Sequence, residues 1–493
     1  MRRRKWLTIL TSGFLFSQAH SISTVLASNL ETQNQTSNAS INAEFDVLII
    51  GAGGAGLSAA VAAREAGAKR VAILEKSAIV GGHTMLSAGT VTVASDADRT
   101  VQELMNDIVA MGGRRSLART LAEQSGATLQ WLSDMDVAWE AKLFRAVGSG
   151  TGTPRNLSTG SQRGGWDIVQ ALASRARKLG VEIYFEHRAI KLIQDSKTHH
   201  IVGVVAKTLN GKEKTIFAHA IVIASGGFSA SQKLQARFAP NIPTVSGSTA
   251  DTMGMTPDLA SGDGIRMGEE VGAKLVDMDA IECIPYTGGR VLDFAGAEIW
   301  LNAEGDRFVN EEASFDVIAG AMQNQTGGFM WTITDAKSKK GANFGTKLVA
   351  GIVREASSLT VLAKETGISY EKLVDTMTAY NNMATTGHDP QFGRTTFNQT
   401  IDTPPYYFGI ERLSVHFTMG GLLIDEKTRV LDHNEHPIPG LFAAGETTGG
   451  VHGRKRLSGN ALTEAFVFGR IAGREATMFV QEDRLKSDLS HSK

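Results

Sequence analysis

The sequence predicts an α/β fold in which a parallel sheet is interrupted by an inserted α+β lobe. Three observations carry this reading. A strand, glycine turn, helix and second strand follow one another from residue 45 to 75. A second strand, turn and helix start close the chain near residue 460. Between them, about 279 to 415, the patterning changes to helical faces and loops. A chain of 493 residues is also too long for one small core, so two or more lobes are expected.

The first 27 residues read as a signal peptide. Met1–Lys5 is basic, Trp6–Phe16 is mostly apolar, and Val25-Leu26-Ala27 fits a small-residue cleavage site. Gln18 and His20 make the segment a poor membrane span, which needs about 20 apolar residues. Arg3-Arg4-Lys5-Trp6-Leu7 loosely resembles a twin-arginine signal; the general secretory route is the alternative. Residues 28–43 are rich in Ser, Asn, Gln and Thr and read as a disordered linker.

Phe45–Ile50 is a short apolar run ended by Gly51, the pattern of a buried parallel strand. Gly51, Ala52, Gly53, Gly54, Ala55 and Gly56 then open a helix whose small face is Ala59, Ala60, Ala62 and Ala63. Val71–Glu75 is the second strand, and Glu75 stands where an acid accepts from a ribose hydroxyl. A lone glycine triplet says little; strand, turn, helix, strand and terminal acid together are a strong nucleotide fingerprint.

A net charge of −1 excludes a large basic face and gives no reason to expect a nucleic-acid partner. Cys283 is the single cysteine, which excludes an intrachain disulfide, a Cys-x-x-Cys-His haem site and a cysteine-ligated iron–sulfur cluster on this chain. No metal site is expected. Any redox chemistry therefore needs a separate protein to deliver or remove electrons.

The end of the chain holds His416-Phe417-Thr418-Met419-Gly420-Gly421, then Ala443-Ala444-Gly445-Glu446, then the run Gly453–Leu462. A helix start offers N–H groups and a positive dipole end to an anion. Arg456 on its approach adds a planar fork that fits a carboxylate. With the turn at residue 51, this resembles flavoproteins of the fumarate reductase/succinate dehydrogenase family (FAD-dependent oxidoreductase 2). The likeness is greatest to the soluble periplasmic branch, the flavocytochrome c fumarate reductases and urocanate reductase.

The resemblance implies a Rossmann-like FAD-binding domain, residues 44–278 and 416–480, with an inserted α+β capping domain, residues 279–415. Residues 481–493 are read as a frayed, flexible tail. Helical patterns are expected at Leu348–Thr366 and Tyr370–Met383, and a loop at Thr385–Arg394. The implied FAD contacts begin with the Gly51–Gly56 turn, Glu75 and Lys76. Gly81, Gly82, His83, Thr84, Ala88 and Gly89 would wrap the flavin. Ala189, the turn Ser225-Gly226-Gly227 and Asp263 would add to the cradle. His416, Gly445 and Glu446 would meet the ribityl chain and ring, and the helix opening at Asn460-Ala461-Leu462 would aim its dipole at the flavin N1/O2 edge. Noncovalent FAD is expected; His83, where the membrane-bound branch carries FAD on histidine, makes a covalent link the alternative.

The family reductases combine a hydride from flavin N5, a proton donor on the far face and cations that grip the activating carboxylate. Arg456 matches the carboxylate clamp, with Gly459 beside it, and His416 matches the first histidine of the family's His-His-Thr-Met-Gly-Gly motif. The second histidine is Phe417 here. Arg307 and Glu311 match a run read as structural. The family's acid arginine falls on Phe315, and the histidine before the cap proline falls on Ile284. The proton-relay stretch is shortened to Arg290–Ala295, with no Glu–Arg pair in an evident place.

Each loss removes a donor and adds apolar surface, so a second carboxylate would be left unpaired at a cost of several kcal/mol. An acrylate- or cinnamate-like monocarboxylate is expected over fumarate, and urocanate finds no evident partner for its imidazole. Tyr286, Arg290 and Asp316 are the candidates for proton donor. The implied protein is a periplasmic ene-reductase of anaerobic respiration, fed by a cytochrome c or a membrane quinol-linked module. A 3-ketosteroid-type FAD dehydrogenase and a non-catalytic flavin electron-transfer protein are the competing readings.

Overall fold

The computed structural model describes residues 44–491, apart from 95–97, 145–154, 161–162, 244, 246, 252–257, 287–289, 293–296 and 342–343. The expected signal peptide and linker lie outside the described residues.

Strand β1 (Phe45–Ile50) is buried along its whole length, which is why its sequence is continuously apolar rather than alternating. It feeds helix α1 (Gly54–Glu65), then β2 (Val71–Leu74). β3 (Glu182–Tyr184), β4 (Glu213–Ile223) and β5 (Pro437–Ala443) complete a parallel layer in the order β5, β4, β1, β2, β3. β4 does two jobs. Its first half, Glu213–Phe217, pairs antiparallel with the strand Ile201–Thr208, and its second half, Ala218–Ile223, pairs parallel with β1. The alternation of exposed and buried residues in the first half gives way to near-continuous burial where β1 lies alongside.

Helix α2 (Asn460–His491) packs closely against α1. A Cβ at Gly473 would stand 2.0 Å from Ala59 O, and one at Gly469 2.5 Å from Ala55 O. The small face Ala59, Ala60 and Ala63 is thus a helix–helix contact with almost no side-chain spacer. Residues 481–491, expected as a frayed tail, continue α2 as helix, and Arg484 reaches Asp46 at the start of β1.

The inserted segment forms a four-stranded antiparallel sheet in the order Ile299–Leu301, Phe329–Thr334, Tyr406–Arg412, Val353–Ala356. The single helix expected over Leu348–Thr366 is broken. A short helix ends at Val349, Val353–Ala356 joins the sheet, and a new helix starts at Leu359 behind the Ser358 N-cap. The apolar pattern there serves a buried edge strand as readily as a helix face, which periodicity alone does not separate. Tyr370–Thr386 is helical and stops at Gly387 in a left-handed C-cap, so the expected loop begins two residues late.

Beside this sheet lies a fully buried ion network: Arg307 with Glu311 at 2.7 Å and with Asp389 at 2.8 Å, and Arg394 with Glu311 at 3.3 Å. Such a network is neutral only when complete, so it ties Glu311 on one loop to Asp389 and Arg394 on another.

Candidate active site

The nucleotide cradle comes from main chain. Gly51 has φ +105°, and a Cβ there would lie 2.4 Å from Ala224 O, so only glycine lets β1 turn against the end of β4. Glu75 holds the turn from the far side, accepting from Ala52 N–H at 2.8 Å and from Ser77 N–H at 2.8 Å. Thr84 Oγ1 accepts from Gly54 N–H at the start of α1. Over Gly53 the space opens: the nearest atom to a Cβ there is Gly81 O at 3.9 Å, and a Cβ on Gly82 would come no nearer than 3.7 Å to Gly53 Cα. At the start of α2 the fully buried Asn460 has no partner for either side-chain amide atom among the described residues. An open glycine-lined gap and an unpaired buried amide at a helix start fit a dinucleotide such as FAD.

Around this gap, Lys76 and Arg188 both grip Asp263, at 3.1 and 2.6 Å. Burial opposes the charge on Asp263, but the two cations hold its carboxyl below the usual carboxylate range. Ala189, next to Arg188, is buried in the strand His187–Gln194. Ser225 Oγ accepts from Gly264 N–H, Gly226 takes φ +74°, and a Cβ at Gly227 would meet Thr418 Oγ1 at 2.0 Å. Gly89 turns at φ +73° against Gly164, next to Ala88.

His83 sits between two acids. Nε2 bonds to Asp258 Oδ1 at 2.8 Å and Nδ1 faces Glu446 Oε2 at 3.5 Å. Burial works against a charged ring here, yet the bonds to Asp258 and Glu446 prevail and raise the imidazole to about 10. Glu446 also accepts from Thr418 N–H and Oγ1–H, each at 3.0 Å, so it bridges the strand Ser414–Thr418 and Gly445 at the end of β5.

The strand Ser414–Thr418 pairs antiparallel with Ile281–Ile284, and the ladder carries a bulge: Phe417 opposes Glu282, and Val415 opposes Cys283. His416 is the extra residue. A bulge re-aims the side chain it carries, and His416 Nδ1 meets Thr249 Oγ1 at 2.8 Å. Burial pushes its imidazole down to about 4, so it is neutral at ordinary pH.

Arg456 is buried, and its fork is partly taken. Nε and Nη2 donate to Glu282 Oε2 at 3.1 and 2.7 Å, and Nη1 donates to Leu457 O at 3.3 Å. The Phe417 ring lies 5.1 Å from the guanidinium and 5.5 Å, edge-on, from His452. His452 bonds through Nε2 to the buried Glu464 at 2.9 Å. Gly459 has φ +88° and packs on Thr92 and Asn156, turning the chain from Arg456 into α2.

On the cap side, Tyr286 packs edge-on against Phe315 at 5.6 Å and Trp300 at 6.4 Å. Arg290 lies over its ring at 4.9 Å. Burial pushes the Tyr286 phenol up to about 12. Ile284 is buried just before Pro285. The sequence shows no Glu–Arg pair in an evident place, and the structure supplies one from beyond the Arg290–Ala295 stretch: Arg290 Nη2 lies 2.7 Å from the buried Glu298. The pair runs in reverse order and over eight residues, so spacing did not reveal it. Asp316 is exposed and bonded to Lys455 at 2.8 Å.

Sequence reasoning missed Glu282, Asp258, Thr249, His452 and Glu464. Only the His416 bulge had a local signal, its place in a glycine-bounded motif. Glu282, Asp258 and Thr249 are single polar residues whose partners lie far away in the chain, and His452 and Glu464 pair across 12 residues with no motif to mark them.

A family model described as FAD binding domain matches residues 46–462. A probable fumarate reductase of Shewanella frigidimarina is 33% identical, covering 87% of this chain and 74% of its own. A urocanate reductase of Eggerthella lenta is 32% identical, covering 88% and 75%. Among solved structures, the open conformation of a flavocytochrome c3 fumarate reductase aligns with a TM-score of 0.73 and 31% identity, covering 92% of this chain and 81% of that one.

Proposed function

The chain belongs to the FAD-binding-domain family matched over residues 46–462, that of the fumarate reductase flavoproteins, and on that premise we propose that it reduces the C=C bond of an α,β-unsaturated monocarboxylate. It is a flavin-dependent oxidoreductase, and its relatives include proteins named for fumarate and urocanate reduction. The reading rests most on Arg456, a buried guanidinium at the approach to α2 that is stacked on Phe417 and keeps donors beyond those taken by Glu282 and Leu457 O.

Bound FAD supplies a hydride, from flavin N5, to one alkene carbon. Arg456 holds the carboxylate and stabilises the negative charge that develops on it. Phe417, Ile284 and Phe315 exclude water and leave no donor for a second carboxylate. Tyr286, kept protonated by burial and lying beside the Arg290 cation, gives the proton to the other carbon; Arg290 stabilises the phenolate that results. Asp316 is set aside because it is exposed and tied to Lys455. Noncovalent FAD is the reading we adopt, because the His83 ring is already engaged by Asp258 at 2.8 Å and faces Glu446 at 3.5 Å. Acid precipitation should leave colourless protein and a yellow supernatant; a yellow pellet sinks that part.

The protein works in the periplasm, exported by its N-terminal segment, and takes electrons from a separate cytochrome c or quinol-linked module. Anaerobic turnover with reduced methyl viologen tests the whole reading, using acrylate, methacrylate, cinnamates, urocanate and fumarate with Arg456→Ala as control. Oxidation of viologen by a monocarboxylate, lost in the variant, is the expected result. Neutralisation of Arg456 by Glu282 favours one alternative, a 3-ketosteroid-type dehydrogenase. Reduction of a phenazine by a 3-ketosteroid, with no acid turned over, would select it.

A further inference from the structure

We propose that Glu282 is a specificity-determining residue that limits the site to substrates with a single carboxylate. This rests on the reductase reading above. A guanidinium has five N–H donors. Three of those on Arg456 are engaged by the chain itself: Nε and one Nη2 donor with Glu282, one Nη1 donor with Leu457 O. The remaining two belong one to each terminal nitrogen, enough for a single carboxylate.

The arrangement is held by the main chain. Glu282 and Phe417 are opposite residues of one antiparallel ladder, one bonded to Arg456 and the other stacked beneath it. Charge points the same way. Arg456 and Glu282 cancel. His83 faces two carboxylates, Asp258 and Glu446, and His416 is held neutral by burial. Lys455 on the arginine loop is committed to Asp316, and Arg290 in the cap to Glu298. Among these described residues no cation is left uncommitted for a second substrate carboxylate, whose desolvation would go uncompensated.

The test compares wild type, Glu282→Gln and Glu282→Asp as FAD-loaded proteins. The reductase arm measures kcat/KM for fumarate and acrylate with reduced methyl viologen. The binding arm measures Kd for succinate and propionate by calorimetry on the oxidised protein, with no turnover. Glu282→Gln should shift both dicarboxylate-to-monocarboxylate ratios toward the dicarboxylate by about tenfold or more, and Glu282→Asp should stay within about threefold of wild type. Ratios unchanged in Glu282→Gln, or both acids losing equally, would mean that Glu282 only holds Arg456 in place, and the proposal falls. If wild type reduces neither acid, the reductase reading fails and the calorimetric ratio still decides on Glu282. If no protein binds either acid, both fall.

Discussion

In the glycine turn of the nucleotide cradle, the contacts that hold the turn close over short stretches of chain: Ala52 to Glu75 spans 23 residues, and Gly54 to Thr84 spans 30. In the substrate wall, Arg456 meets Glu282 across 174 residues, and Thr249 meets His416 across 167. The cradle uses main-chain N–H groups and the absence of side chains. The wall uses charged and aromatic side chains from strands and loops that only folding brings together. A motif can encode the first because its geometry is local; the second is set by which strands pair and where the ladder bulges. The same cradle can therefore be kept while the wall is rebuilt around a different acid.

The largest expected effect breaks the cradle. A Cβ at Gly56 would lie 1.9 Å from Gly51 O, so Gly56→Ala should destabilise the protein by about 3 kcal/mol and abolish FAD retention. Flavin absorbance after gel filtration and thermal unfolding would check it. Retention of FAD at wild-type stability would contradict the close approach.

Next, the Arg456–Glu282 pair separates stability from function. Arg456→Ala should cost about 3 kcal/mol, because it leaves a largely buried carboxylate without its partner. It should also lower kcat/KM on a monocarboxylate by about 100-fold. Arg456→Met with Glu282→Gln should recover most of the stability and none of the activity, measured as a double-mutant cycle. Recovery of activity would show that the arginine does not hold the substrate.

The two histidines give opposite pH dependences. His416 is lowered from 6.5 to about 4, so the folded state prefers the neutral ring; its contribution is present above about 6.5 and is lost as pH falls toward 4. His83 is raised from 6.5 to about 10, so its contribution is full below about 6.5 and is lost as pH rises through 10. Melting temperature against pH should fall on both sides. His83→Gln should flatten the alkaline side alone, and an unchanged alkaline limb would refute the cationic His83.

The smallest effect belongs to Lys455 and Asp316, which link the arginine loop to the cap but are both exposed. Lys455→Ala should change stability by no more than about 0.5 kcal/mol, with the difference vanishing in high salt.

The α/β class, β1, α1, β2, the acid at Glu75 and the arginine at Arg456 could all be read from residue order. Each depends on local periodicity or on a turn that few residues can make. The reading failed where one pattern suits two structures. Apolar residues at 348–366 served a strand between two helices, and a polar tail extended α2 because Arg484 finds Asp46. Local chemistry along the chain thus determined a glycine turn shaped for a dinucleotide and an arginine near a helix start. Only the tertiary structure decided what that arginine faces. The ladder between Ile281–Ile284 and Ser414–Thr418 brings Glu282 to Arg456 and leaves His416 as the odd residue. Strand register and the balance of buried charges are properties of the packed whole, which no short window of sequence carries.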